Sequence, residues 1–372
     1  MKKILIATAA VASFASVAHA QSSVTLYGTL DAALTYTSNV DGGHQYALGS
    51  GAIDENRFGL RGVEDLGGGM KTIFRLEQGF NLNNGSQANS GKMFSRQAYV
   101  GLSSDVGTVT VGRQYDAMQD FVAPLTATGS WGGANFAHLG NLDNLDKDST
   151  NASSNTIKFK SANYAGLSFG GTYGFSNSSK FADNREYSFG AAYEIAGLHI
   201  GAGYAQQNNP ASSNTAGATN LRTLSDGSQL VSTINHRERQ FGAGASYAFG
   251  PAVFGLAWTQ FRADNFADGS SAFHTNNYEA NVKYNLTPAL GLGVAYTYTN
   301  GNVDDARFHA NQFGLQGDYA LSKRTDVYVQ GVYQLVSSPD SVLPAVIDNG
   351  NVTGYSSSRR QGVASVGMRH RF

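Results

Sequence analysis

A side-chain period of two constrains this chain more than any other feature. In YEANVKYNL, Tyr278, Ala280, Val282, Tyr284 and Leu286 share one face, while Glu279, Asn281, Lys283 and Asn285 share the other. The pattern recurs in FGAGASYAF from Phe241, LSFGGTYGF from Leu167, EYSFGAAYE from Glu186 and DVYVQGVYQL from Asp326, each with small or polar residues on the second face. Sixteen such runs begin between Val24 and Arg359, most about 9 to 12 residues long, enough for a tilted strand to cross a bilayer.

The links between these runs alternate between short and long. Tight links built from turn formers fall at Asp65 to Gly69, Ser103 to Gly107, Tyr164 to Gly166, Ile195 to Gly197 and Thr287 to Ala289. Long polar links separate them, among them Thr37 to Glu55, Tyr115 to Asn151, Gln207 to Asn235 and Ser337 to Ser358. A transmembrane barrel has this asymmetry, with short turns at one rim and long loops at the other. The expected fold is all-β, a 16-stranded antiparallel transmembrane β-barrel, because a sheet with an apolar outer face can satisfy its backbone in lipid only by closing on itself. A secreted β-sandwich would bury that face instead and would not need this loop asymmetry.

The first twenty residues stand apart. Met1-Lys2-Lys3, the apolar stretch Ile4 to Val17 and Ala18-His19-Ala20 read as a cleaved export signal, too short to be a spanning helix. One domain is then expected over residues 21–372. Without Lys2 and Lys3 that domain carries 24 basic and 27 acidic side chains, a net charge of −3 that points to no nucleic-acid partner. The absence of cysteine excludes disulfides and thiolate-bound metal. Eight histidines show no paired metal spacing, and there is no phosphate-binding loop, dinucleotide fingerprint or Gly-x-Ser-x-Gly elbow, so no metal or cofactor is expected and no enzyme. Tyrosines and Trp258 are expected in interfacial girdles. Mid-strand glycines are expected to permit curvature or close packing.

Basic side chains concentrate in the second to sixth runs. Arg57 and Arg61 oppose Phe58 and Leu60; Lys71 and Arg75 oppose Phe74 and Leu76; Lys158 and Lys160 oppose Ile157 and Phe159. An Arg or Lys facing lipid near the midplane costs about 2–4 kcal/mol, so parity turns these six toward the lumen. Alternation alone does not decide Arg96 or Arg113.

The segments SSVTLYGTLDAAL, NRFGLRGVEDLGGGMKTIFRLEQGF, SRQAYVGLSSDVGTVTVGRQYDA and the terminal VGMRHRF resemble the Gram-negative trimeric general porins, in particular the betaproteobacterial and neisserial branch. The resemblance implies a homotrimer with its first and last strands near the subunit contact, set among outer-membrane lipid and lipopolysaccharide. It also implies a general diffusion pore for small hydrophilic solutes. Arg57, Arg96 and Arg113 match wall arginines of a constriction, and the link 115–151 matches the long third loop that folds into the lumen. Phe372 matches the terminal aromatic read by the outer-membrane assembly machinery. The Pro-Glu-Phe-Gly-Gly stretch of many such porins is absent, since Pro124 is followed by Leu125 and Gly132-Gly133 follow Trp131. Asp116 and Asp120 are then the nearest candidates for an acidic wall, or else solvated loop residues.

The expected constriction therefore contains Arg57, Arg61, Arg75, Arg96, Arg113, Lys158, Lys160, Asp116 and Asp120, with Glu77 and Asp31 as partial offsets and a preference for small anions. Two other readings stay open. The arginines could pair with acids and only stiffen the barrel, or, with Tyr27 and Tyr328, they could form the binding row of a substrate-specific channel.

Overall fold

A computed structural model describes residues 22–89, 91–146, 152–181, 184–208, 236–265, 271–303, 305–338, 343–347 and 354–372. The expected export signal lies outside the described residues, as does most of the link from Gln207 to Asn235. Strands β1 (Ser23–Val40), β3 (Arg57–Gly67), β4 (Met70–Gly79), β5 (Gln97–Ser104), β6 (Gly107–Gln114), β7 (Ser153–Ser161), β8 (Leu167–Gly174), β9 (Glu186–Ile195) and β10 (Leu198–Asn208) form the first part of the wall. It continues through β11 (His236–Phe249), β12 (Ala252–Asn265), β13 (Ser271–Asn285), β14 (Leu290–Val303), β15 (Ala306–Ala320), β16 (Thr325–Ser337) and β17 (Arg360–Arg371). Each is antiparallel to its neighbours.

Closure falls on β1, whose segment Thr29–Thr37 pairs with β17 and whose segment Ser23–Thr29 pairs with β3. The seam ends in a reciprocal pair, with Gly28 N donating to Phe372 O and Phe372 N to Gly28 O, each at 3.1 Å. A short strand missed by alternation, β2 (Gly43–Ser50), lies within the link read as Thr37 to Glu55 and pairs with β1 from Ala32 to Val40, beyond β3. The ring is therefore a closed 16-stave barrel with one strand added at the long-link rim. The strand read in YEANVKYNL from Tyr278 starts earlier, at Ser271, because β11 to β15 run 14 or 15 residues and overshoot the length a bilayer needs.

Parity sorts the wall as expected. Val24, Leu26, Leu34, Leu60, Val366 and Met368 are exposed on the outside, while Thr29, Asp31 and Thr35 on β1 and Gln330 and Gln334 on β16 are buried within. Two features of the interior were not foreseen. Inward-facing Phe261, Phe273 and Phe308 form an apolar core inside the barrel, capped by Leu139 and Leu142 of the 115–151 link and by Leu343 and Val346 of the last long link. The segment 51–56 also turns into the bore, where Ile53 is fully buried.

The described part of the 115–151 link folds against the inner wall. It opens with α1 (Ala117–Phe121) and continues in short turns through Asn141. Its backbone groups are satisfied by inward side chains: Gln316 Nε2 donates to Trp131 O at 3.1 Å, Gln330 Nε2 to Gly132 O at 2.6 Å and Gln312 Nε2 to Ala137 O at 2.9 Å. Inward glycines make the contact possible. A Cβ on Gly201 would lie 2.1 Å from Phe121 O, one on Gly293 2.3 Å from the Trp131 ring, and one on Gly314 2.3 Å from the Phe136 ring. His138 then clamps the link, its Nδ1 2.5 Å from Asp143 Oδ2 and its Nε2 2.9 Å from Glu279 Oε2 on β13.

Two outcomes follow. Gly201→Val should cost about 1–3 kcal/mol by overpacking, seen as a lower heat-denaturation midpoint of the folded barrel and protease access to the link; Gly331→Val, with nothing within 4 Å, should do neither. Burial alone would lower the His138 pKa, but Asp143 and Glu279 on its two nitrogens push it up to about 10. A raised histidine contributes its full stability below about 6.5 and loses it as pH rises through about 10. The His138 ring proton shift should accordingly stay flat from pH 5 to about 8.5; a midpoint near 6.5 would mean that neither carboxylate holds it.

Candidate functional site

With the apolar core and the 115–151 link filling the side under β9 to β16, open space in the barrel is left against β3 to β8. A cleft there is lined by Arg75, Gln97, Tyr99, Asp120, Lys158 and Lys160, among others. Strand pairing builds its basic wall. Register sets Arg61 directly opposite Arg75, an arrangement unfavourable by like-charge repulsion unless something lies between. Both guanidiniums lie against the ring of Tyr27 of β1, at 5.4 and 5.2 Å from its centroid, and Arg75 also pairs with Glu77 at 3.5 Å. Arg75 Nε donates to the Tyr27 hydroxyl at 2.7 Å, and that hydroxyl donates to Glu77 Oε2 at 2.6 Å. Gly59 leaves the room, since a Cβ there would lie 2.7 Å from the Tyr27 oxygen.

Arg96 is held differently. Only 3% exposed, it donates through Nε to Glu77 Oε1 at 2.8 Å and pairs through Nη1 with Glu55. Its guanidinium also lies 5.7 Å from the centroid of Tyr115. Arg57 reaches Glu55 O at 3.1 Å and Asp54 Oδ1 at 3.7 Å. Arg113 is paired in register with Ala98, on the parity of Val109 and Val111, beside an irregularity between Gly112 and Gln114. Its Nε donates to Ser95 O at 2.5 Å and its Nη1 to Ser154 Oγ at 2.9 Å, which ties it to the long-link rim of β5 to β7.

The acids around these cations come from an unforeseen place. Asp54 and Glu55 belong to the inward segment 51–56, which Asp31 anchors by accepting from Ile53 N at 2.9 Å and Asp54 N at 2.8 Å. Tyr328 donates to the same carboxylate, so Asp31 organises the segment and is not itself set beside the arginines. Nothing in the alternation marks a polar link as inward-turning. Asp54 also reaches across to Arg369 of β17 at 2.5 Å, a residue that further binds Asp326 at 3.0 Å and Asp318 at 3.2 Å.

From the 115–151 link, Asp120 pairs with Lys158 at 2.5 Å. Asp116 instead caps α1, accepting from Gln119 N at 3.0 Å, and burial pushes its carboxyl up to about 6. Lys160 lies 5.5 Å from the Phe121 ring. Among the described residues Arg61 and Lys160 form no ion pair, and both are exposed. No group of three or more His, Asp or Glu among the described residues is placed to hold a metal ion.

Known proteins share both sequence and fold. An outer membrane porin protein of Bordetella pertussis is 29% identical over 90% of this chain and 94% of its own. Outer membrane porin protein 32 of Delftia acidovorans is 30% identical with both chains fully covered. The solved anion-selective porin from Comamonas acidovorans superposes with a TM-score of 0.76 at 25% identity, over 95% of this chain and all of that one. OmpT of Vibrio cholerae, at 15% identity and a TM-score of 0.66, shares the fold. The Gram-negative porin family model matches residues 7–337, and the chain accordingly belongs to that family, as a β-barrel of the cell outer membrane.

Proposed function

We propose that this porin is a general diffusion pore for small hydrophilic solutes that prefers anions, with the 115–151 link narrowing the bore opposite the basic wall. The observation that carries this reading is the distribution of neutralised and free charge. Arg57 and Arg96 spend their charge on Asp54, Glu55 and Glu77, and Lys158 on Asp120, whereas Arg61 and Lys160 keep theirs and Arg75 shares Glu77 with Arg96. The positive potential of the bore then comes from Arg61, Arg75 and Lys160. Low-dielectric walls focus it, and salt screens it over about 10 Å at 0.1 M. The anion-selective porin from Comamonas acidovorans points the same way. A pore of this kind performs no catalytic step.

Reversal potentials in a KCl gradient test the assignment. Arg61→Gln with Lys160→Gln should move the anion-to-cation permeability ratio toward cations by a factor of about 2–5 at 0.1 M, shrinking at 1 M, where screening acts within about 3 Å. Glu55→Gln should move it the other way, by releasing part of the charge of Arg96. A wild-type pore favouring potassium would reject the anion reading and leave the pore intact. Current that saturates with a single organic anion would mark a substrate-specific channel instead.

We also propose a homotrimer with its contact along β1 and β17. The outer faces there carry aliphatic Val24, Leu26, Leu34 and Val366, whereas β12 to β14 carry Trp258, Tyr278 and Tyr298, the side chains of a lipid–water interface. Sedimentation in detergent should give the mass of three chains, and Leu34→Arg should give that of one.

A further inference from the structure

The 115–151 link first meets the wall at its head, where α1 lies against β9. Ala117 N donates to Ser188 Oγ at 2.9 Å, and Ser188 Oγ lies 2.6 Å from Thr172 Oγ1 of β8. Ala117 and Phe121 pack with Ala192, and a Cβ on Gly190 would lie 2.7 Å from the Phe121 ring. Glu186 shares the inward face of β9 with Ser188, two residues nearer the long-link rim, and Asp116 immediately precedes Ala117. The Ala117–Ser188 bond therefore brings the two carboxyls together. Outward-facing Phe189 belongs with Tyr204 and Phe241 to an aromatic run with centroids 5.3 and 4.8 Å apart, which marks the membrane interface. Glu186 lies three residues, about 10 Å, beyond that run toward the rim, outside the hydrocarbon span.

Both carboxyls are only half satisfied. Each is 1% exposed, so neither meets a passing ion. Asp116 Oδ1 accepts from Gln119 N at 3.0 Å and Glu186 Oε1 accepts from Ser153 Oγ, but Asp116 Oδ2 and Glu186 Oε2 are buried with no hydrogen-bond partner among the described residues. Arg113 of β6, Lys158 of β7 and Asp120 of α1 are the charged groups that face the pair, and Tyr115 beside it turns its ring to Arg96. The two cations have other partners: Lys158 pairs with Asp120, and Arg113 donates to Ser95 O and Ser154 Oγ. Burial, and after it the charge of Asp116, pushes the Glu186 carboxyl up to about 8.

We propose that Asp116 and Glu186 hold one proton between them, with Glu186 as the acid donating to the Asp116 carboxylate, and that this bond latches the head of the 115–151 link to β9. A single proton satisfies both orphan oxygens and removes one of two like charges. Its release leaves two buried carboxylates facing each other, so alkalinity opens the latch. A raised carboxyl contributes its full stability below 4.5 and loses it as pH rises through about 8. The latch acts on the link whichever ion the bore prefers.

Infrared spectra of the full-length folded barrel in detergent read the proton directly, as the carbonyl band of a protonated carboxyl. Wild type should show the band at pH 7 and lose it with a midpoint near about 8. E186Q should lack that band, and D116N should lower its midpoint by about one pH unit. E186Q supplies an amide donor in place of the acid, so at pH 9 added protease should cut its link several-fold more slowly than that of wild type, while at pH 7 the two should match. E186A, which leaves Asp116 Oδ2 without a donor, should be cut faster than wild type at pH 7. Bilayer conductance of each variant certifies its fold, and if E186A does not fold, E186Q and D116N carry the comparison. The proposal is overturned by the absence of the band at pH 7, by a band that survives E186Q, or by equal cutting of wild type and E186Q at pH 9. An unmoved midpoint in D116N overturns it too, since the proton would then belong to Glu186 alone, opposite Gln207 in the ladder.

Discussion

Closure of the hydrogen-bonded ring is the constraint from which the rest of this structure follows. Hydrocarbon offers no partner for an amide, so each edge of the sheet must meet another edge. β1 completes the circle by pairing with β17 on one side and with β3 and β2 on the other. Once the ring is closed, alternation has no freedom left: every residue faces either lipid or the interior, and a slip of one position would turn Arg61 and Arg75 into hydrocarbon. The outer face can be uniformly apolar because it contributes nothing to specificity, and all chemical variety is moved inside or to the rims.

The interior then solves a second problem, which is how to hold a link of more than thirty residues within a water-filled cylinder. Backbone groups there need partners, and side chains of Gln312, Gln316 and Gln330 supply them on the side where Gly201, Gly293 and Gly314 allow close approach. Inward phenylalanines add a core that an aqueous tube would not need. The consequence is asymmetry. One half of the bore is occupied, and free space lies against β3 to β8, where the cations stand.

Much of this was legible in the sequence, and the parts that were not share a physical reason. The runs from Leu167 and Glu186 begin strands at those residues because one face must be greasy, which a period of two records directly. The lumenal facing of Arg57, Arg61, Arg75, Lys158 and Lys160 was readable for the same reason. Asp54 and Glu55 were not: they sit in a polar link, and its inward turn depends on Asp31, 22 residues before Ile53, and on Tyr328, 297 residues after Asp31. β2 escaped because it belongs to no membrane crossing and so shows no lipid-facing requirement. Phe261, Phe273 and Phe308 escaped because alternation reports the outer face, while an inward apolar residue is set by whatever packs on it from a distant link.

Charge pairing in the bore shows why counting arginines overstates a field. A carboxylate within hydrogen-bond reach turns a guanidinium into a dipole whose influence dies away within a few ångströms, whereas an unpaired cation acts over the full screening length. Arg96, flanked by Glu55 and Glu77, is therefore a structural tie that fastens the inward segment to β4 and β5. Arg61 and Lys160 instead have aromatic rings as neighbours and, among the described residues, no acid. The aromatic contact matters in its own right: the Tyr27 ring takes both guanidiniums against it, so that Arg61 and Arg75 stand opposite each other with one carboxylate, Glu77, paired with Arg75 and none with Arg61.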